Sequence, residues 1–397
     1  MDRLLVVWLV VIQLIYADIY ALNDEGLALI ACKKTLIDPN NVLKSWDDDN
    51  KKADDNPCGW SFVKCNNNGS VTQLNIWSLN GTRMEGSIPL ELGKLANLVM
   101  LELSNNNLTG FIPKELGNLS KLEYLGLNDN KISGPIPPEL GKLANLVILK
   151  LGDNMLTGLI PEELAMLPKL QNLGLGRNFI NGSIPQKLGG LANLVILELG
   201  DNRLSGPIPE ELAMLSQLQN LCVSLIGHVI PFQKNIDLGI NHLSGQVIPH
   251  LGNLTNLQYL GLQFLDLGLN QLSGQLIPHL GNLRELHYLE LYDNHIIGQI
   301  PREFGKLANL WSLDMLGNSL NGSIPEEFGK LSKLQRLGLN DNNLSGLIPK
   351  ELGFLTNLTN MDLSDNNFTG CVPKELAKIK FMNVENNPGL TGNCTSI

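Results

Sequence analysis

The sequence predicts an α/β repeat solenoid: a curved right-handed coil with short parallel strands on its inner face, helical or irregular segments outside, and disulfide-capped ends. Three observations predict it. Leucine recurs at fixed offsets, proline returns in a GxIP or GxVP-like turn at nearly constant intervals, and asparagine recurs where each short strand should end. The composition agrees, with Gly 39 and Pro 20 against 5% aromatic residues. Charged residues make up 17%, below the roughly 25% of an ordinary soluble domain.

The elements follow in order. Residues 4–15, LLVVWLVVIQLI, form an apolar run behind Arg3, with the small residues Ala17 and Ala21 after it. The run is too short to span a bilayer and reads as a signal peptide over 1–21. No later stretch is long and apolar enough for a membrane helix, and the ending GLTGNCTSI carries no lipid-anchor tail or retention signal. The expected mature chain is secreted and soluble.

Residues 22–70 read as an N-terminal cap: an amphipathic helix, EGLALIACKKTLI, then DPNNVLKSW, an acidic loop, and NPCGWSFVKC. In an oxidising compartment Cys58 and Cys65 are close enough in sequence to staple a small loop, and Cys371 with Cys394 can staple the other end. Cys32 and Cys222 fall in apolar surroundings and read as buried thiols.

The repeats occupy 71–375, about thirteen coils, irregular at 210–265. Their turn prolines stand at 89, 113, 137, 161, 185, 209, 231, 249, 278, 301, 325, 349 and 373. The spacing is 24 except for 22, 18, 29 and 23 between Pro209 and Pro301. That period, with L-x-x-L-x-L-x-x-N-x-L, is the leucine-rich repeat signature. In the coil Leu98–Leu122, Leu101 and Leu103 point inward while Met100, Glu102 and Ser104 point outward. Asn106 closes the strand, its amide placed to satisfy backbone groups of the adjoining coil, and Asn recurs there at 130, 154, 178, 202, 241, 270, 294, 318, 342 and 366. Gly110 permits a tight turn, and Leu108, Ile112, Leu116, Leu119 and Leu122 complete the core. In coil seven Ile226 stands where the Asn is expected. Residues 376–397 read as the C-terminal cap.

The GxIP coil resembles the plant extracellular leucine-rich repeat class over residues 22–394. The cap DEGLALIACKKTLIDPNNVLKSWDDD…NPCGWSFVKCNNNGSV and the coil GQLIPHLGNLRELHYLELYDN resemble the ectodomains of somatic embryogenesis receptor kinases, which serve as shared co-receptors. Those have about five coils, then a proline-rich stretch, a membrane span and a kinase, whereas this sequence has thirteen turns and none of the rest. Polygalacturonase-inhibiting proteins share the coil and the secreted form but carry two disulfides in each cap.

No chemistry-bearing motif is found: no HExxH, GxxxxGK[ST], GxSxG or complete GxGxxG. No enzyme activity, cofactor or metal is expected. The six histidines, 228, 242, 250, 279, 287 and 295, lie between coils seven and nine, His250 and His279 at one place in successive coils, and read as copied surface residues. The net charge of −10 and the lack of basic runs exclude a phosphate-neutralising groove, and with it nucleic acid.

Binding is then the expected function, on the exposed inner strands. An acidic column of Glu102, Glu198, Asp237, Asp266, Glu290, Asp314 and Asp362, with Lys150 the lone base, would steer basic partners. Aromatics are sparse except for Phe264, Tyr288, Tyr292 and Trp311. These, with Glu290 and Asp314, form the expected partner-binding site in coils eight to ten, because Tyr and Trp bury large area with few rotors to freeze. Sequons stand at Asn68, Asn80, Asn107, Asn118, Asn181, Asn253, Asn321, Asn343, Asn357, Asn367 and Asn393. The sequence thus reads as a secreted glycoprotein that recognises a protein or peptide in the apoplast, in a receptor-like or co-receptor-like role in signalling or defence, with receptor kinase ectodomains among the expected partners. The alternative is an inhibitor of a secreted cell-wall-degrading enzyme.

Overall fold

A computed structural model describes residues 24–46, 57–77, 83–222, 241–246, 253–256, 259–261 and 270–394. The signal-peptide segment, Asn80, His228, Pro231, Asp237, Pro249, His250, Phe264 and Asp266 lie outside the described residues.

One coil shows how the residues make the fold. Leu98, Leu101, Leu103, Leu108, Ile112, Leu116, Leu119 and Leu122 are each at most 3% exposed. Alternation along the strand Met100–Glu102 sends Leu101 into the core and leaves Met100 and Glu102 half-buried on the inner face. The chain then turns at Asn106. Its Nδ2 donates to the carbonyls of Ile76, Leu103 and Ser104 at 2.7, 3.0 and 3.1 Å, and its Oδ1 accepts from the Met84 N–H at 2.9 Å. Each partner is a backbone group stranded where a coil leaves its strand, so the amide replaces bonds that the turn removed. The device recurs at Asn130, Asn154, Asn178, Asn202, Asn342 and Asn366, and continues to Asn387, one coil beyond the expected series.

Repetition of that coil builds an inner sheet of 14 described strands, from Val63–Cys65 to Phe381–Asn383, parallel after its first antiparallel pair. Past the ladder asparagine lies a second parallel sheet of 11 described strands, from Ser133–Gly134 to Gly389–Asn393, where the sequence suggested only a tight turn. Its alternation is brief: in Met155–Gly158, Leu156 is buried while Met155 and Thr157 are exposed. The outer side is made of five-residue 3-10 turns, such as Pro138–Lys142, each opened by a proline of the GxIP turn or by its predecessor. Coils close tightly there. A Cβ on Gly141 would stand 2.3 Å from the carbonyl oxygen of Glu163 in the next coil, so only glycine permits the approach.

The irregular region has a simple plan. Asn220–Cys222 pairs directly with Tyr259–Gly261 in the inner sheet, and Arg203–Gly206 with His242–Gln246 in the second. The Leu204 N–H donates to Asn241 Oδ1 at 2.9 Å, so Asn241 takes the ladder place after Asn202, while Ile226 lies outside the described residues. The link from inner strand to ladder asparagine spans 223–240 in one coil and 262–269 in the next, residues that lie outside the described ones. In the coil before, that link is only 199–201.

The two ends depart from the repeated coil. The helix Asp24–Thr35 buries Ala28, Leu29, Ile30 and Cys32, although Leu27 stays 53% exposed. Glu25 accepts from the Val71 N–H of the inner sheet at 2.7 Å, tying helix to solenoid. Trp46 is fully buried, stacks on Trp60 and donates to the Ser61 carbonyl. Cys58 joins Cys65 and Cys371 joins Cys394. The free Cys32 thiol is buried, and burial, reinforced by Glu91, pushes it up to about 12, so it is an inert core residue.

Candidate functional site

The inner sheet presents one residue between each pair of buried leucines and one at each strand start. Their registers are direct, Tyr288 against Ser312 and Glu290 against Asp314, so neighbours in these columns stand one strand spacing apart.

The described acids of the column are largely engaged within the chain. Glu102 accepts from the Tyr124 hydroxyl at 2.5 Å and from the Ser104 N–H at 2.9 Å. Burial and this bond push the Tyr124 hydroxyl far above its ordinary value. Asp314 is only 3% exposed, not on open surface as expected; Arg336 Nη2, one coil on, meets it at 2.8 Å. Asp362 accepts from the Ser364 N–H and hydroxyl at 3.0 and 2.7 Å. Burial raises Glu198 above the usual carboxylate range, with Lys150, two strands away across Gly174, opposing that rise. Among the described acids, hydrogen bonds hold Glu102 and Asp362 in place while Arg336 offsets the charge of Asp314.

The aromatic group is brought together in part. Trp311 immediately precedes the strand Ser312–Asp314 and is 40% exposed. Its ring stands edge-on to Tyr288, centroids 6.0 Å apart, and to His287 at 5.1 Å. The Trp311 N–H donates to the His287 carbonyl at 2.7 Å, which fixes the two coils at this point. Tyr288, Glu290 and Tyr292 are half-buried on the same coil. The sequence reading missed His287, whose signal was its place, 24 residues before Trp311 at the same coil position.

It also missed an aspartate row at the rim of this face. Asp129, Asp153, Asp201, Asp293, Asp341 and Asp365 all adopt left-handed backbone, φ 49–55°, immediately before a ladder asparagine. Arg177 holds this place in one coil and bridges its neighbours, at 2.9 Å from Asp153 and 3.7 Å from Asp201. Beside Tyr292, Asp293 is pushed up to about 6 by burial, then by Asp314 and Asp341. The signal was the recurring Asp-Asn pair, since short polar residues tolerate this conformation.

Elsewhere the described histidines are scattered: His242 and His295 open strands of the second sheet, and His279 lies in an outer 3-10 turn. Among the described residues no three His, Cys, Asp or Glu side chains stand close enough to hold a metal, and no helix is long and apolar enough to cross a membrane. The sequon residues Asn68, Asn118, Asn181, Asn253, Asn321, Asn343, Asn357, Asn367 and Asn393 are exposed. Asn107 is half-buried and donates to Glu85 at 3.2 Å. None of these ten is on an inner strand.

Residues 75–264 and 262–384 match the profile of a leucine-rich repeat region, and 22–66 that of a leucine rich repeat N-terminal domain. Among curated proteins, the chain is 38% identical over 113 residues to the leucine-rich repeat receptor-like serine/threonine-protein kinase RGI4 of Arabidopsis thaliana. That covers 23% of this chain and 10% of the relative. It is 43% identical over 81 residues to leucine-rich repeat protein 2 of the same plant, covering 20% and 34%. Among solved structures it resembles the Arabidopsis receptor kinase HAESA ectodomain in complex with an IDA peptide hormone, at TM-score 0.71 and 29% identity over 95% of this chain and 65% of that one. It also resembles PEPR1 with AtPEP1, at TM-score 0.69 and 33% identity over 94% and 56%. The matched part is thus a tenth to a third of those curated relatives, and under two thirds of the solved ectodomains.

Proposed function

This chain belongs to the leucine-rich repeat family, and from that membership we propose that it is a secreted recognition glycoprotein of the apoplast. It binds a peptide or protein partner on its inner sheet, in a receptor-like or co-receptor-like role in signalling or defence. One observation carries the reading: the edge-to-face cluster of exposed Trp311 with half-buried Tyr288 and His287 on the inner side of the coil. Such a cluster offers a large apolar contact whose rings are already held in place, so little rotamer freedom is lost on binding. Tyr292, Glu290 and the rim carboxylate of Asp293 frame it with polar groups. The likeness to ectodomains solved with peptides supports a peptide ligand. The exposed sequons lie off the inner strands, so glycans there would leave the face open.

The test is affinity capture. The mature glycosylated chain and its Tyr288→Ala, Tyr292→Ala, Trp311→Ala variant are presented to apoplastic fluid and to solubilised plasma membrane, with retained proteins identified by mass spectrometry. Receptor ectodomains or peptides held by the parent and lost from the variant are the expected result. Equal retention by both chains would overturn the site. Capture of a wall-degrading hydrolase whose activity falls in proportion would overturn the signalling role in favour of inhibition.

A further inference from the structure

The outer face carries a second feature that the inner-face reading does not use. The pentapeptide EELAM occurs at 162–166 and again at 210–214, with QKLGG at 186–190 in the coil between. The last residue of each 3-10 turn is commonly polar, as in Lys94, Lys142 and Lys306. Here the order is Met166, Gly190, Met214, and the two methionines are 71% and 69% exposed. A Cβ on Gly190 would meet nothing within 4 Å, so the glycine leaves a notch between two sulfur-bearing side chains.

The coil spacing deepens the notch. Gly141 and Gly189 bring their coils within a distance at which a Cβ would lie 2.3 Å from the next coil's backbone. Ala165 supplies that Cβ, so the following coil cannot close to the same separation. The result is an open groove of about 530 Å³, with Met166, Met214, Ala165 and Gly190 in its wall. Carboxylates of Glu162, Glu163 and Glu211 stand against one ammonium, Lys187, which is itself paired with Glu162, leaving a net charge of −2 around an apolar floor. None of the groove residues is a sequon asparagine.

We propose that this outer groove is a second docking site, distinct from the inner face, for a partner segment that presents aliphatic or aromatic side chains between lysines or arginines. Methionine's flexible, polarisable side chain adapts to varied apolar anchors. The carboxylate rim selects basic flanks and repels acidic ones. The notch at Gly190 gives the anchor a place to enter.

The probe is a labelled eight-residue peptide with two central leucines flanked by arginines, and its counterpart with glutamates in place of the arginines, titrated by fluorescence anisotropy. The expected result is binding of the arginine peptide only, weakened at least tenfold by Met166→Ala with Met214→Ala and by Gly190→Leu. Neither variant changes the net charge, so general attraction to an acidic protein would survive both. Glu163→Gln with Glu211→Gln should weaken binding and flatten its salt dependence. The triple alanine variant at Tyr288, Tyr292 and Trp311 should bind the peptide as the parent does. The Met, Gly and Glu variants are at groove positions, and an unchanged melting profile verifies the fold of every variant. Unaltered binding to the Gly190→Leu chain, equal binding of the glutamate peptide, or loss with the inner-face variant would overturn the proposal.

Discussion

At the scale of the residue, the ladder asparagine bonds its surroundings in a way that no other side chain of its size can. Asn154 donates to the carbonyls of Leu127, Leu151 and Gly152 and accepts from the Ile132 N–H. Asn154→Ala leaves those groups unpaired in a buried site, at an expected cost of ~1–3 kcal/mol or more. Asn154→Asp keeps the acceptor, loses the donors and brings in a buried charge, and should cost more than the alanine. Denaturant midpoints of the two variants check the order. Asp293 gives a pH test. Its folded value of about 6 exceeds the ordinary 3.8, so between these limits the folded chain holds a proton that the unfolded chain releases. Stability should therefore fall as pH rises from about 4 to about 6 and level off above. Asp293→Asn should remove that part of the fall, seen as a smaller difference in melting temperature between pH 4 and pH 6. A variant whose pH profile matches the parent's would place the titration elsewhere.

At the scale of the element, leucine spacing made the coil legible because every buried position repeats with the same period, and the structure places Leu98 to Leu122 in the core as read. The second sheet was illegible for a physical reason: its strands are only two to six residues long, and its alternation of Met155, Leu156 and Thr157 is submerged in the 24-residue period. The plan of the irregular coils was hidden too. The sequence placed an irregularity at 210–265, with Ile226 where the Asn was expected, whereas the bond from Leu204 to Asn241 shows the ladder continuing between the described coils. Replacing 223–240 by a three-residue link copied from Leu199, Gly200 and Asp201 should therefore leave the chain folded. Far-ultraviolet circular dichroism and the melting profile check this, and a chain that no longer melts cooperatively would contradict it. At the C-terminal end, the Cys371–Cys394 bridge closes 23 residues of chain. By loop entropy Cys371→Ser with Cys394→Ser should cost about 3 kcal/mol, felt first by the last coils because each coil leans only on its neighbours. Hydrogen exchange should show increased opening near Phe381–Asn383 and little change in strands far from that end.

At the scale of the whole molecule, stacking sets what the inner face can be. Charges one coil apart in sequence become neighbours in space, so the acid column read along the chain contains an internal ion pair, Asp314 with Arg336. Composition alone could not reveal that cancellation, because it depends on which residue stands beside which across the sheet. Aromatic clustering survived the same comparison: Trp311 and Tyr288 do meet, and His287 joins them. Recognition on the inner face should therefore depend more on apolar burial at this cluster than on long-range attraction. Trp311→Ala should weaken a captured partner by about 2 kcal/mol or more, with only a shallow dependence on salt.

The most direct test of inner-face recognition is a hydrogen-exchange footprint of the chain with its captured partner. Slowed exchange should centre on the inner strands Tyr288–Glu290 and Ser312–Asp314 and on the backbone around Trp311. Protection confined to the outer 3-10 turns or the second sheet, with those strands unchanged, would contradict it.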